Sequence, residues 1–441
     1  MTVRRGLPTA VNGSVCRSMS VPVIGQAGQV NSPCDRTERP VSAVTAATRA
    51  DLAARSVVPS YGRAVWGIPG THLAVRALPV PPPVDLSWNY WWQAHHLDAI
   101  VDAGWRHWDG TPAGHAAARA YLRLGRELLR GIWLRNGGRW TNAFFDDMGW
   151  LVLAAGRVTE LGQVVGAPPV VEAERAVRRI GARLIEAQDD VLGGGVYWTV
   201  QRDRKNVPAT APAAIHAARS GDVDRARDLV DWIYRERFDE TAGLALDTVY
   251  VDGRRDDTVY TYNQGTLLGA LLAVGGPAEM AAAEALIAAV NRRWCAEEDS
   301  APRVVTAHGD GDGGLFTGIL IRYLGVAARE SLLSSQARRL ASAMVLDTAQ
   351  AWWQGGRWDE DVQDARGRRR TAVVFSRDPM TPAEVDLPVG SVCELTPQLQ
   401  AWMALEAAAA IVNDQEAAAA VVDGEEARDQ QTPSRRCPSS R

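Results

Sequence analysis

Met148-Gly-Trp-Leu-Val-Leu-Ala-Ala155 is apolar on nearly every side when wound as a helix, as are Gly265-Thr-Leu-Leu-Gly-Ala-Leu-Leu272 and Leu315-Phe-Thr-Gly-Ile-Leu-Ile321. A helix with no polar face has to be enclosed by other elements. The segments between them differ. Ala173, Val177, Ile180 and Leu184 form one stripe, Met280, Ala283, Ile287, Val290 and Trp294 a second, and Leu333, Ala337, Leu340 and Met344 a third. Each stripe leaves the opposite side polar, as on a helix that covers a core and faces water.

Extended outward, the same periodicity gives twelve helices, over about 43–66, 88–106, 113–132, 145–162, 170–188, 208–220, 223–237, 261–274, 277–296, 315–327, 330–350 and 394–412. Breakers such as Gly110-Thr-Pro, Gly193-Gly-Gly and Gly275-Gly-Pro separate them. Helices that alternate between exposed and enclosed predict an all-α (α/α)6 barrel, in which six helical hairpins close into an inner and an outer ring. An open α-solenoid competes with it, but the sequence has no fixed repeat period. A disordered leader is expected over 1–40, a single barrel domain over 41–412 and a disordered tail over 413–441, because both ends lack sustained periodicity.

With 441 residues, 46% of them hydrophobic, the chain can bury a large core without disulfide or metal staples. Five cysteines, Cys16, Cys34, Cys295, Cys393 and Cys437, are odd in number and widely spaced, so free thiols are expected and a zinc site is not. No metal and no cofactor is expected. A formal charge of −4 supplies no field to draw the chain onto nucleic acid or an anionic membrane. No stretch is long and apolar enough for a membrane span, and Arg4 and Arg5 are not followed by an apolar export core. As written the chain reads as cytoplasmic, and as secreted if its start codon is mis-assigned; a monomer is expected. Sixteen tryptophans against five phenylalanines provide broad faces suited to the C–H side of sugar rings, although large helical cores use tryptophan as well.

Polar and aromatic residues that fit a core poorly gather at the starts of the even-numbered segments. They are Trp88-Asn-Tyr-Trp-Trp-Gln-Ala-His-His, Trp140-Thr-Asn-Ala-Phe-Phe-Asp-Asp, Gly195-Val-Tyr-Trp with Lys205 and Asn206, Tyr260-Thr-Tyr-Asn-Gln-Gly, and Ser391-Val-Cys-Glu. Parallel inner helices bring these starts to one mouth, where buried polar groups cost stability unless they are paired or used. Asp146 and Asp147 enter the fourth helix. One Asp there is an ordinary first-turn residue; two in succession beside apolar neighbours repel, which raises one pKa and leaves the partner ionised. That division supplies an acid together with a base or nucleophile, as glycosidic cleavage requires. Trp91, Trp92, Tyr197 and Trp198 are candidates to stack on sugars, with core packing as the alternative. Asn206, Asn263 and Gln264 can read hydroxyls or cap helices. Gln93, Asn142 and Tyr262 complete the candidate substrate-binding set. His95 and His96 lack suitably spaced partners and read as structural, Glu394 as a pocket residue or a cap.

Tyr90-Trp-Trp-Gln-Ala-His, Asn142-Ala-Phe-Phe-Asp-Asp-Met-Gly-Trp, Gly194-Gly-Val-Tyr-Trp with Lys205-Asn206, Tyr262-Asn-Gln-Gly and Leu315-Phe-Thr-Gly-Ile-Leu-Ile-Arg-Tyr-Leu together resemble glycoside hydrolase family 76, the endo-α-1,6-mannanases. The resemblance runs from Val65 through the twelfth segment. It implies an (α/α)6 barrel, an α-1,6-linked mannan or manno-oligosaccharide substrate, and a retaining mechanism with Asp146 as nucleophile and Asp147 as general acid/base. Two positions depart from the pattern: Phe144 and Phe145 stand where tyrosine is expected, and Thr317 where lysine is common.

The same cleft would suit a transglycosylase, with a sugar as acceptor, or a non-catalytic mannan-binding protein. A metal-dependent helical enzyme such as a terpene cyclase needs a further Asp along the helix, where this chain has Trp150 and Leu151.

Overall fold

The computed structural model describes residues 45–80, 88–295 and 301–431. Its helices are α1 (Ala46–Tyr61), α2 (Tyr90–His107), α3 (Pro112–Arg135), α4 (Phe145–Val164), α5 (Val171–Glu186), α6 (Val207–Arg219), α7 (Val223–Glu236), α8 (Thr261–Val274), α9 (Pro277–Trp294), α10 (Gly313–Arg329), α11 (Ser335–Gly355), the one-turn α12 (Ala383–Asp386) and α13 (Leu395–Gln431). The twelve long helices coincide with the twelve expected from periodicity, to within a turn or so at every end but the last. There α13 runs on to Gln431, past residue 413, where the sequence pattern begins a tail. The expected leader over 1–40 lies outside the described residues, as do 432–441.

Helices α2, α4, α6, α8, α10 and α13 pack each on the next, and α13 closes back onto α2. Helices α3, α5, α7, α9, α11 and α1 pack outside them, so inner and outer alternate along the chain. This is the (α/α)6 barrel. Helix α4 buries Met148, Trp150, Leu151, Leu153 and Ala155 all round its circumference, whereas α5 buries one stripe of Ala173, Ala176, Ile180 and Leu184.

Glycine sets how closely the inner helices cross. A Cβ at Gly265 of α8 would lie 2.7 Å from Cα of Leu320 in α10, and one at Gly318 of α10 would lie 2.7 Å from Cβ of Gln400 in α13. Both distances are inside van der Waals contact, so no larger residue fits without moving a helix. Charge is enclosed in the ring too. Arg157 of α4 donates to Asp98 of α2 at 2.6 Å and to Asp102, Arg322 of α10 also reaches Asp102, and Arg106 of α2 meets buried Glu406 of α13 at 2.8 Å. Each ion is tolerated there because it has a partner, and the pairs tie α2 to α4, α10 and α13.

Small sheets decorate the ring. Arg204–Asn206, Thr248–Tyr250 and Arg255–Asp256 form a three-stranded antiparallel sheet. A hairpin of Arg357–Gln363 and Arg369–Val374 packs on α1. Its first strand, Arg357-Trp-Asp-Glu-Asp-Val-Gln, has too few apolar residues to announce a strand in the sequence. Cys295 and Cys393 are free thiols, and the other three cysteines lie outside the described residues. Among the described residues no group of His, Cys, Asp or Glu could hold a metal ion, and no helix is long and apolar enough to cross a membrane.

Candidate active site

Inner helices α2, α4, α8 and α10 begin at Asn89, Phe144, Tyr260 and Asp312, none of which caps its helix with its side chain. Outer helices α1, α3, α7 and α11 are capped by Thr45, Thr111, Asp222 and Ser334 and inner α6 by Asn206, while outer α5 and α9 have no side-chain cap. The first N–H groups of a helix have no partner within it. An uncapped start therefore keeps those donors, and the positive end of the helix dipole, for acids placed beside it.

The inner starts surround a cavity of 660 Å³. The beginning of α2 contributes Trp88, Tyr90 and Trp91, and the beginning of α4 contributes Asn142, Phe144, Asp146, Asp147 and Trp150. The remaining wall includes Trp198, Arg204 and Asn206, then Asp247, Thr248, Tyr250 and Asp256, then Tyr262, Asp312 and Phe316.

Of the residues anticipated from sequence, Asp146, Asp147, Trp91, Asn142, Trp198, Asn206 and Tyr262 line this cavity. Trp92, Gln93, Tyr197, Asn263 and Gln264 stand behind the wall instead. Trp92 is buried and donates from its indole to Asp312 at 2.9 Å. Gln93 satisfies both backbone groups of Ala74, and Gln264 those of Ala245. Tyr197 is buried beneath the Lys205 ammonium, and Asn263 donates to Asp247 at 2.9 Å. Helical geometry contributes: neighbouring residues diverge by about 100° around the axis, and of Trp91-Trp92-Gln93 and Tyr262-Asn263-Gln264 the first of each faces the cavity while the next two turn away.

The two acids differ in their hydrogen bonds. Asp146 accepts from the Trp198 indole at 2.8 Å and from the Asp147 backbone N–H at 2.8 Å. Asp147 accepts from the Asn142 amide at 2.6 Å, and Asn142 is itself held by the Phe144 N–H at 2.9 Å. Burial raises the Asp146 pKa to about 7, against the pull of its two donors and with the help of the Asp247 carboxylate. Asp147 is raised well above the carboxylate range by burial and by facing Asp146, with the Asn142 amide opposing. Both acids therefore ionise less readily than a free carboxyl.

Asp247, Asp312, Arg204 and Tyr250 carry no motif and emerge only from the fold, and Phe316 lies inside the Leu315 motif, which does not single it out as a wall residue. Asp247 accepts from Asn263, from the Thr248 hydroxyl at 2.7 Å and from the Tyr262 hydroxyl at 3.2 Å, and burial raises its pKa. The signal available for it is a single carboxyl inside the apolar run Leu244-Ala-Leu-Asp-Thr-Val-Tyr. Tyr262 and Phe316 stack at 4.1 Å. His95 lies against Trp91 and Trp150 at 5.6 and 4.9 Å, and burial pushes its pKa down to about 3, which keeps it neutral. Glu394 accepts from the Gly311 N–H at 2.7 Å and so orders the loop ahead of α10. Phe144 is exposed at the mouth, Phe145 is buried, and Thr317 is buried with its hydroxyl on the Thr306 carbonyl.

A double helical ring with paired carboxyls in an aromatic-walled mouth defines a glycosidase of the helical-barrel type. Residues 56–367 match glycosyl hydrolase family 76, and the chain belongs to that family. The chain is 26% identical to the α-1,6-mannanase GH76A from Salegentibacter sp., over 83% of this chain and 98% of that one, with a TM-score of 0.65. An inactive variant of that mannanase, changed at two consecutive aspartates and bound to α-1,6-mannotetrose, is 25% identical over 83% of this chain and 99% of that one, with a TM-score of 0.66. The Lin0763 protein from Listeria innocua, 23% identical over 84% and 98%, shares the fold with a TM-score of 0.66. No curated protein matches the chain in sequence.

Proposed function

We propose that the chain hydrolyses α-1,6-mannosidic linkages in mannan-type glycans by double displacement. Asp146 is the nucleophile and Asp147 the general acid/base. The observation that carries this assignment is the unequal hydrogen bonding of two consecutive carboxyls at one cavity. Two N–H donors favour the ionised form of Asp146, while Asp147, with a single amide donor and two facing carboxyls, Asp146 and Asp312, keeps the proton.

In the first step a carboxylate oxygen of Asp146 bonds to the anomeric carbon as the glycosidic C–O bond breaks, and the Asp147 proton passes to the departing oxygen. In the second step Asp147 takes a proton from water, whose oxygen displaces Asp146 from the sugar. Trp91 offers a ring face to the glycan, and Asn142, Asn206 and Tyr262 offer polar contacts.

Among the described residues five aspartates line the cavity, Asp146, Asp147, Asp247, Asp256 and Asp312, against one cation, Arg204. An acidic mouth disfavours uronates and phosphorylated sugars and suits a neutral polymer such as mannan. The α-1,6-mannotetrose bound by the related mannanase supports the linkage. Linear α-1,6-mannan incubated with the chain should gain reducing ends, and Asp146→Asn should remove the activity. A wild type no faster than that variant would refute the proposal.

A further inference from the structure

Arg204 is the one cationic side chain among the described residues lining the cavity, and its position is fixed from two sides. Its backbone pairs with Tyr250 in the three-stranded sheet, and its carbonyl accepts from the Trp198 N–H at 3.0 Å. Its guanidinium carbon lies 4.4 Å from the centre of the Trp198 ring and 4.8 Å from that of Tyr250, and Nη1 donates to the Tyr250 hydroxyl at 2.9 Å. The same Trp198 ring takes Phe144 against it at 5.4 Å and donates from Nε1 to Oδ2 of Asp146.

We propose that Arg204 is a positioning residue: through the face of Trp198 it fixes the indole N–H on Asp146, and its charge favours the ionised, attacking form of that carboxyl. The assignment rests on Asp146 being the nucleophile. A cation over an indole draws the ring's electrons toward itself, which leaves the N–H at the ring edge a stronger donor. The positive charge also opposes the carboxylates that crowd Asp146.

Those neighbours are Asp147 on its own helix, Asp247 ahead of the strand Thr248–Tyr250, and Tyr262 on α8. Asp312 at the start of α10 and Tyr90 at the start of α2 act on Asp147 instead. Arg183 of α5 lies over the Phe145 ring at 5.5 Å, and Asn206 at the start of α6 is uncharged. Arg254 lies over Tyr250 at 4.2 Å but is largely exposed. Arg204 does pair with Asp203 at 3.3 Å, yet Asp203 is 48% exposed, so water screens that partner more than it screens the cavity side.

The test uses the full chain with ¹⁵N at its tryptophan indoles. The Trp198 Nε1–H resonance, assigned by its loss in Trp198→Phe, reports the titration of Asp146. Arg204→Gln should raise that midpoint by about half a unit or more, and Arg204→Lys should raise it less because a cation remains. Tyr250→Phe, which frees the guanidinium from one anchor, should give a smaller rise and serves if Arg204→Gln does not fold. On α-1,6-mannan the acid limb of kcat/KM should move upward with the midpoint. An unchanged midpoint in Arg204→Gln, or in Tyr250→Phe where the first variant is lost, would overturn the proposal, as would a lysine variant shifted as far as the glutamine one. A wild type inactive on mannan would defeat the functional reading alone, since the indole titration decides this one without turnover.

Discussion

The backbone N–H of Asp147 donates to Oδ1 of Asp146 at 2.8 Å, so the second acid steadies the charge of the first with its main chain while its own side chain turns to Asn142 at 2.6 Å. Consecutive residues in the first turn of α4 therefore meet different surroundings. That geometry is what the proposed division into a charged and a protonated partner rests on.

Substrates with a good leaving group separate the two roles. Asp146→Ala and Asp147→Ala should each lose about 10³-fold or more on mannan. An aryl α-mannoside whose phenol leaves without protonation should still give a burst with Asp147→Ala and none with Asp146→Ala. Stopped-flow release of the phenol checks this, and a burst from Asp146→Ala would reverse the assignment.

The site should also weaken the fold at neutral pH. A carboxyl with a higher pKa folded than unfolded binds its proton more tightly in the native state, so stability falls as pH rises from the unfolded value through the folded one. Both acids are of this kind. Asp147→Asn should therefore melt above wild type at pH 7, by about 1–3 kcal/mol, and the gap should close toward pH 4. Thermal unfolding across that range measures it.

The barrel was legible because the segments with residues 148–155, 265–272 and 315–321 have no polar face, and a helix of that kind has only an interior to occupy. The acidic pair was legible because two like charges at the start of such a helix need a use. Trp92, Gln93 and Gln264 show where sequence stops: their types suit a cleft, but the direction of each side chain depends on helix phase, and the two glutamines satisfy loop backbone instead. Asp247 and Arg204 were hidden for a different reason. Arg204 reaches the mouth on the strand just ahead of α6 and Asp247 just ahead of the strand Thr248–Tyr250, between α7 and α8, and the pairing of these two strands is set by tertiary contacts.

Asp247 faces Asp146 and resists its ionisation. Asp247→Asn removes that charge, so Asp146 should ionise at lower pH and the acid limb of kcat/KM should move down by about half to one unit. A limb that moves up or stays in place would show that Asp247 does not act on Asp146 through charge.

The glycines at the inner crossings should be intolerant of any side chain. Gly265→Ala and Gly318→Ala each place a Cβ 2.7 Å from a neighbouring helix and should cost about 1–3 kcal/mol, or more, in chemical denaturation. Gly156→Ala, where a Cβ meets nothing within 4 Å, should be neutral or stabilising because alanine favours a helix.

The stereochemistry of the first product tests the double displacement most directly. Proton NMR of α-1,6-mannan during the first minutes of cleavage should show the α-anomer of the new reducing end, with the β-anomer growing in only by mutarotation. The β-anomer appearing first would mean that water attacks the sugar directly, and Asp146 would then not be the nucleophile.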